Sequence, residues 1–366
     1  MANFAIFNDQ HVFSGISTYV YGIFNNIVSN GINSDFYQFI MYNDNIPIKP
    51  QNVKRGVFNS ISANSKLVYN SKLALNFLTG YNWKTFKHIK VETALLSGPT
   101  LLPLVRYFKH TIVVGHDLYF ITQSGWNPIL ARYMRKMYDQ FNQADYLILN
   151  SNYSKKEFSD NLNILNEKMR VVYPSFDPTI FYPGKNTLRK SLNIHNNDKI
   201  LLSVGGDNPN KNIETIFRVL KNLPDNFKLI RVGRNFNTEK LLNDYGIKNR
   251  TILLGNVNQK TLSDLYKCSD VFVFPSLFEG FGIPLIEAMA SGTPVITSNR
   301  GSLPEVVGDA GFICDPFDVD FITNAITELT EENKIREEYI RKGLKRSQLF
   351  TPKAQFESLI KVPGIK

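Results

Sequence analysis

Two long stretches of this chain repeat one rhythm: a short apolar run, a loop carrying glycine, then a segment with apolar residues at helical spacing. The first stretch opens at Ala2–Asn8 and runs to the strand-like Met169–Val172. An interval holding Pro174, Pro178 and Pro183 interrupts it, and the rhythm restarts at Ile200–Val204. Alternating strands and helices of this kind demand a parallel sheet covered on both faces. At 366 residues the chain is too long for one ordinary core. The fold class is therefore α/β, with two Rossmann-like domains and a boundary within Ser175–Gly184. The expected division is 1–176 and 177–349, with 350–366 packing back on the first domain as a C-terminal helix.

In the first half, Ser17 is placed to cap a helix bearing Val20, Ile23, Phe24, Ile27 and Val28, which Asn30-Gly31 stops. Asp35–Ile40, Val91–Leu96, Thr111–Gly115 and Tyr146–Asn150 read as further strands, and Trp126–Phe141 as a helix. Residues 42–66 are polar and irregular. In the second half, strands are expected at Ile200–Val204, Lys228–Val232, Thr251–Leu254, Asp270–Phe274 and Pro294–Thr297, with helices from about Asp320 onward.

One unit of the second half has the composition of a site. After Asp270–Phe274 come Glu279-Gly-Phe-Gly-Ile-Pro-Leu-Ile-Glu287, with Pro284 suited to the first turn of a helix. The glycines admit close backbone approach, and the helix start favours an anion such as a phosphate. In the first half, His116 follows the strand Thr111–Gly115, where open α/β sheets place ligands. It reads equally well as a satisfied core histidine, with Asp117 capping a helix. The loop around Ser14-Gly15 is not a GxGxxG and makes no dinucleotide case alone.

The net charge of +10 has a location. Between Lys49 and Lys136 stand thirteen Lys/Arg against Glu92 and Asp117 alone, so the rest of the chain is close to neutral. Such a segment is either a solvated surface or the seat of an anionic substrate or membrane face. No nucleic-acid motif accompanies it. No apolar run reaches the roughly 18 residues of a membrane span, and the first residues lack the basic start of a signal peptide. Cys268 and Cys314 read as buried free thiols, in keeping with a cytoplasmic location. Asp318-Val-Asp320 has the letters of a metal-binding Asp-x-Asp, but it precedes a helix and reads better as a cap. No His/Cys cluster has metal-ligand spacing.

Glu279-x7-Glu287, within Pro-Ser-Leu-Phe-Glu-Gly-Phe-Gly-Ile-Pro-Leu-Ile-Glu-Ala-Met-Ala-Ser-Gly-Thr-Pro-Val, resembles glycosyltransferase family four, the retaining GT-B nucleotide-sugar transferases. Ser14-Gly15, His116-Asp117, Asn150-Ser-Asn-Tyr-Ser-Lys-Lys, Val172 to Pro183 and Asn299-Arg-Gly-Ser-Leu-Pro-Glu305 agree with it, in order along nearly the whole chain. The resemblance implies a GT-B fold of two domains facing across a cleft, acceptor bound mainly by the first and nucleotide sugar mainly by the second. It implies that Lys211 neutralises the departing diphosphate, with Gly206 in the phosphate loop and Gly15 closing over it. Glu279 with the backbone of Phe281, Gly282 and Ile283 would hold the donor sugar, Glu287 the ribose, and Val257 the base, with His116 beside the sugar. Catalysis then falls to Lys211, Glu279 and His116, and no metal or other cofactor is needed.

The chain departs from the family at one point. Relatives place an Arg after the first glycine of the phosphate loop, or directly before the Lys, where this chain has Gly206 and Asn210. Lys211 then acts alone, or Arg234 reaches in. The expected function is transfer of a hexosyl unit, with retention, from a nucleoside-diphosphate sugar to a glycan, lipid-linked or other anionic acceptor. The protein would work in the cytoplasm, with peripheral contact at an anionic inner membrane face as the corollary of its charge. A nucleotide-sugar epimerase or hydrolase of the same fold, and a non-catalytic sugar-binding homologue, are the alternatives.

Overall fold

The computed structural model describes residues 4–8, 15–32, 34–38, 53–54, 91–122, 128–184, 188–233 and 238–365. Contacts divide the chain into two units, Met1–Pro174 with Pro352–Lys366, and Ser175–Thr351.

The first unit is built on a seven-stranded sheet in the order β3-β2-β1-β4-β5-β6-β7. Its strands are β1 (Phe4–Asn8), β2 (Ser34–Gln38), β3 (Val53–Lys54), β4 (Thr93–Leu96), β5 (His110–Gly115), β6 (Tyr146–Leu149) and β7 (Met169–Val171). All pairs are parallel, with Phe4 of β1 opposite both Ser34 and Thr93. Side chains alternate across this sheet as the two-residue period of a strand requires. Phe4, Ile6, Leu95, Ile112 and Val114 share a cluster with Val20, Ile23, Phe24 and Ile27 of helix α1 (Gly15–Ser29). Ala5, Phe7, Leu96 and Val113 share the opposite one with Met137 of α2 (Pro128–Tyr138) and Phe158 of α3 (Asn152–Leu162). Each such large side chain contributes roughly 1.5–3 kcal/mol by leaving water.

The C-terminal helix, Pro352–Leu359, packs within this unit: Leu359, Val362 and Ile365 join the α1 cluster. Asn26 Nδ2 donates to Gln355 Oε1 at 2.6 Å, and Gln355 Nε2 donates to the Tyr173 carbonyl at 2.9 Å.

Two local expectations change. Helix α1 begins at Gly15, so Ser17 lies inside its first turn and is not its cap. The crossover from β1 sets where the chain meets the sheet face, and a cap worth about 1 kcal/mol does not move it. Helix α2, described over Pro128–Tyr138, ends earlier than its apolar period suggested and tightens into a 3-10 turn at Asp139–Gln143. Ser14, Trp126, Arg234 and the stretch 42–66, apart from 53–54, lie outside the described residues. So do Lys49, Arg55, Lys66, Lys72, Lys84, Lys87 and Lys90 of the basic segment.

The second unit holds a six-stranded parallel sheet in the order β10-β9-β8-β11-β12-β13. Its strands are β8 (Lys199–Val204), β9 (Phe227–Val232), β10 (Thr251–Leu254), β11 (Val271–Phe274), β12 (Val295–Ser298) and β13 (Gly311–Cys314). The last, a four-residue edge strand just before Asp315-Pro316, carries too little apolar pattern to be read from sequence. Its helices of five or more residues are α4 (Ile213–Asn222), α5 (Thr238–Asp244), α6 (Gln259–Cys268), α7 (Ile283–Ala290), α8 (Leu303–Val307), α9 (Val319–Glu331) and α10 (Asn333–Ser347). Leu201, Leu229, Val271, Val273 and Ile296 face Phe217 and Leu220 of α4 and Ile322 and Ile326 of α9 in one core. Asp318 caps α9, accepting from the Phe321 N–H at 2.9 Å, so the Asp-x-Asp letters serve a helix start. Cys268 and Cys314 are buried free thiols.

Strand order turns back once in each sheet, between β1 and β4 and between β8 and β11. The crevice beyond the carboxyl ends of those strands is where open α/β sheets bind ligands. Among the described residues no helix is long and apolar enough to cross a membrane.

Candidate active site at the second switch point

The loop leaving β8, Gly205 to Asn212, and the loop leaving β11, Pro275 to Gly282, flank the switch point of the second sheet. They are fastened to each other by backbone. The Leu277 N–H donates to the Asn210 carbonyl at 2.7 Å, and Asn210 Nδ2 donates to the Phe278 carbonyl at 3.3 Å. Asn212 holds the left-handed conformation, φ 50°, which asparagine tolerates better than most residues. From there its Nδ2 donates to the carbonyls of Pro275, at 3.1 Å, and Pro316, at 2.8 Å.

On this frame Lys211 and Glu279 meet, 68 residues apart in sequence, with Nζ 2.5 Å from Oε1. The lysine stem runs over Gly205, and its ammonium stands 5.3 Å from the centroid of the Phe274 ring. Both side chains keep a part of their surface open, 21% for Lys211 and 15% for Glu279, so a ligand can reach the pair. The backbone of the second loop is equally constrained. Ser302 Oγ donates to the carbonyls of Glu279, at 3.0 Å, and Phe281, at 2.9 Å. A Cβ on Gly301 would stand 2.6 Å from the Glu279 carbonyl oxygen, so glycine is required for that approach.

Gly282 then caps α7, with Ile283 and Pro284 in its first turn, and as a glycine it offers no side-chain acceptor to the N–H groups there. That helix end presents positive potential beside Lys211 and Gly206. One turn further, Glu287 is buried, 7% exposed, and accepts from the Tyr266 hydroxyl at 3.1 Å. Burial pushes its carboxyl up to about 8, against a smaller downward pull from the Tyr266 hydrogen bond. Val257 lies half-buried in the turn between β10 and α6, at the sheet's outer edge, two strands from β8. Thus Gly206, Lys211, Glu279, Phe281, Gly282, Ile283 and Glu287 lie at or beside one switch point, whereas Val257 stands apart and Arg234 lies outside the described residues.

Two candidates belong to the first unit. Gly15 is the first residue of α1. His116 follows β5 and is buried, its Nε2–H donating to the Ser97 carbonyl at 2.6 Å and its ring edge-on to Tyr19 with centroids 6.1 Å apart. Burial pushes the imidazole down to about 4 from 6.5, opposed weakly by the Ser97 bond. The fold holds this ring neutral while the unfolded chain protonates it below 6.5, so its stabilising contribution is full above 6.5 and lost as pH falls toward 4. Glu287, raised in the fold, tilts stability the opposite way over the same pH range in both proteins, so the His116 effect is read as a difference: from pH 6.5 to 5 the melting temperature of wild type is expected to drop relative to that of His116→Gln. Parallel melting curves for both proteins over this interval would count against the assignment.

Sequence reading missed Arg231. It stands within β9, among Leu229, Ile230 and Val232, and its side chain is fully buried at 0% exposure. Burial pulls its guanidinium down to about 10, with Asp207 opposing, so it stays charged at neutral pH. The available signal was a charge inside an otherwise apolar run of an inner parallel strand, where both faces are covered. Among the described residues no group of three or more His, Cys, Asp or Glu is placed to hold a metal ion.

Two Rossmann-like units of parallel sheet, the second with an anion-receptive switch point, define the GT-B class of proteins. Residues 184–346 match the family described as Glycosyl transferases group 1. The chain is 30% identical over 271 residues to O-antigen chain mannosyltransferase B of Escherichia coli, an alignment covering 69% of this chain and 70% of that one. It belongs to the glycosyl transferases group 1 family, as the resemblance of its Glu-x7-Glu segment implied. It is also 35% identical over 164 residues to an uncharacterized glycosyltransferase of Methanocaldococcus jannaschii, spanning 42% of each. Its fold is shared with sucrose-phosphate synthase from Thermosynechococcus elongatus, at a TM-score of 0.80 and 20% identity over 98% of this chain and 97% of that one.

Proposed function

We propose that the protein transfers a hexosyl unit, with retention, from a nucleoside-diphosphate sugar to a glycan or lipid-linked acceptor. The observation that carries this reading is the Lys211–Glu279 pair at the mouth of the glycine loop, beside the start of α7. A diphosphate entering there exchanges the lysine's carboxylate partner for phosphate oxygens, which frees Glu279 to accept hydroxyls of the sugar. As the glycosidic C–O bond breaks, charge grows on the leaving phosphate oxygen, and Lys211 with the helix dipole stabilises it. The acceptor oxygen attacks from the face the phosphate leaves, and that phosphate takes the acceptor's proton, so no metal or protein nucleophile enters. Glu287 serves the ribose. Gly15, His116 and Val257 keep their donor roles on the strength of the resemblance alone.

The mannosyltransferase relative makes a mannosyl donor the first to try. Thermal shift and product analysis with UDP-, GDP- and ADP-sugars, with and without glycan acceptors, test the reading. Donor-dependent transfer with the donor's anomeric configuration conserved is the expected result. Full donor turnover without acceptor would mark an epimerase or hydrolase, and no stabilisation by any of the three a non-catalytic homologue.

The acceptor side rests on a second observation. Arg106, Lys109, Arg132, Arg135 and Lys136 are all exposed in the first unit. Exposed cations in this number suit an anionic acceptor or the headgroups of a cytoplasmic membrane leaflet. Flotation with anionic vesicles is expected at low salt and to fade at moderate salt. Binding that is absent, or indifferent to salt, would remove this part.

A further inference from the structure

Between Gly205 and Asn212 the phosphate loop of this chain holds Lys211 as its one cation, and the structure places an arginine directly beneath that loop. We propose that Arg231 is the second fixed cation of the donor-phosphate site, a positioning residue that acts from under the glycine loop and does not touch the ligand. The inference rests on the donor-site reading above and names a residue it lacked.

Arg231 is rooted in β9, the neighbour of β8, and points its guanidinium at the strand ends. Nη2 donates to the Gly206 carbonyl at 2.8 Å, and Nη1 to the Val232 carbonyl at 2.9 Å and, at the limit of a hydrogen bond, to that of Ser203 at 3.5 Å. Its Nε is buried with no hydrogen-bond partner. Among the described residues no carboxylate lies within ion-pair distance of it, although Arg189, Arg250, Arg300 and Arg336 of the same unit each have one. The nearest influence of opposite sign is Asp207, which accepts from Thr238 Oγ1 at 3.2 Å.

Two consequences follow. The carbonyl of Gly206 and the N–H of Asp207 belong to one trans peptide plane and point opposite ways. Holding the carbonyl down turns that N–H away from the arginine, and keeps the negative end of the dipole out of the loop's outer surface. Secondly, a buried cation without a carboxylate carries a desolvation cost that persists in a native fold only where something offsets it. Carbonyl dipoles offset part, and a diphosphate above the loop offsets more. The field of the buried charge crosses little water on its way there, so it is felt more strongly than that of a surface cation. Space exists for the alternative arrangement too, since a Cβ on Gly206 would meet nothing within 4 Å. The chain has a cation below the loop in place of one upon it.

The experiment is calorimetry on the full chain with UDP, GDP or ADP, whichever wild type binds, and with the matching nucleoside, which has no phosphate. Arg231→Met is expected to weaken the diphosphate about tenfold and the nucleoside less than about twofold. Gly206→Arg is expected to restore diphosphate binding in the Arg231→Met background and to add little to wild type, the non-additivity of two groups serving one charge. Equal weakening of both ligands would reduce Arg231 to a structural role, and unchanged diphosphate binding, or an equal gain from Gly206→Arg in both backgrounds, would also overturn the proposal. Arg231→Lys keeps the charge and guards against a Met variant that fails to fold. It is expected to stay within about threefold of wild type, and a tenfold selective loss at unchanged melting temperature would overturn the charge role. Failure of wild type to bind any of the three diphosphates would instead overturn the donor-site reading, and this inference with it.

Discussion

Lys211→Ala is expected to lower sugar transfer about 10²–10³-fold in kcat, with a much smaller change in donor affinity. On the proposed reading its ammonium faces the charge that develops on the departing phosphate, so its largest effect falls on the transition state. The fold should survive, because Glu279, left without its partner, keeps 15% of its side-chain surface open to water. Glu279→Gln gives a different signature. It removes the carboxylate that competes with the ligand for Lys211, so the nucleoside diphosphate product should bind more tightly while turnover falls. Steady-state kinetics with product inhibition, alongside melting curves, reads both variants. A Lys211→Ala enzyme that transfers sugar at the wild-type rate would put the phosphate charge elsewhere and end the assignment.

Gly233→Ala is expected to destabilise the second unit by more than about 3 kcal/mol and to abolish nucleotide binding. Gly233 ends β9 with φ +130°, and a Cβ there would stand 1.9 Å from the carbonyl oxygen of Gly205. Both features forbid a side chain, and neither atom is the end of a flexible group that could turn aside. Relief requires moving Gly205 and with it the loop that carries Lys211. Gly206→Ala is the matched control, being one residue along the same loop with open space where its Cβ would go. Melting temperature should fall by roughly 6–12 °C in the first variant and hold within about 2 °C in the second. Similar values for the two would show that the β8 and β9 ends can part without cost.

Much of the fold was legible because its signals are local. Strand runs such as Lys199–Val204 and Val271–Phe274, helical spacing in α1 and proline at the start of α7 each depend on a few adjacent residues. The Glu279–Glu287 stretch was legible as a site for the same reason, its glycines, proline and carboxylates lying within one strand-loop-helix unit. Short edge elements failed this test. Strand β3 holds only two residues, and β13 is an edge strand that opens on Gly311, so neither stands out until its neighbour in the sheet pairs with it. The cap at Ser17 failed for a related reason, since helix starts answer to the crossover as well as to propensity.

Through its periods and loops, the sequence by itself determined two parallel α/β units, a switch-point loop rich in glycine, and a family whose donors are nucleotide sugars. Tertiary structure alone decided which charges meet there. Lys211 finds Glu279 across 68 residues, and Arg231 turns under Gly206 from a neighbouring strand. Parallel pairing brings together the carboxyl ends of strands distant in sequence, so the site's electrostatics are a property of the sheet order and not of any one segment.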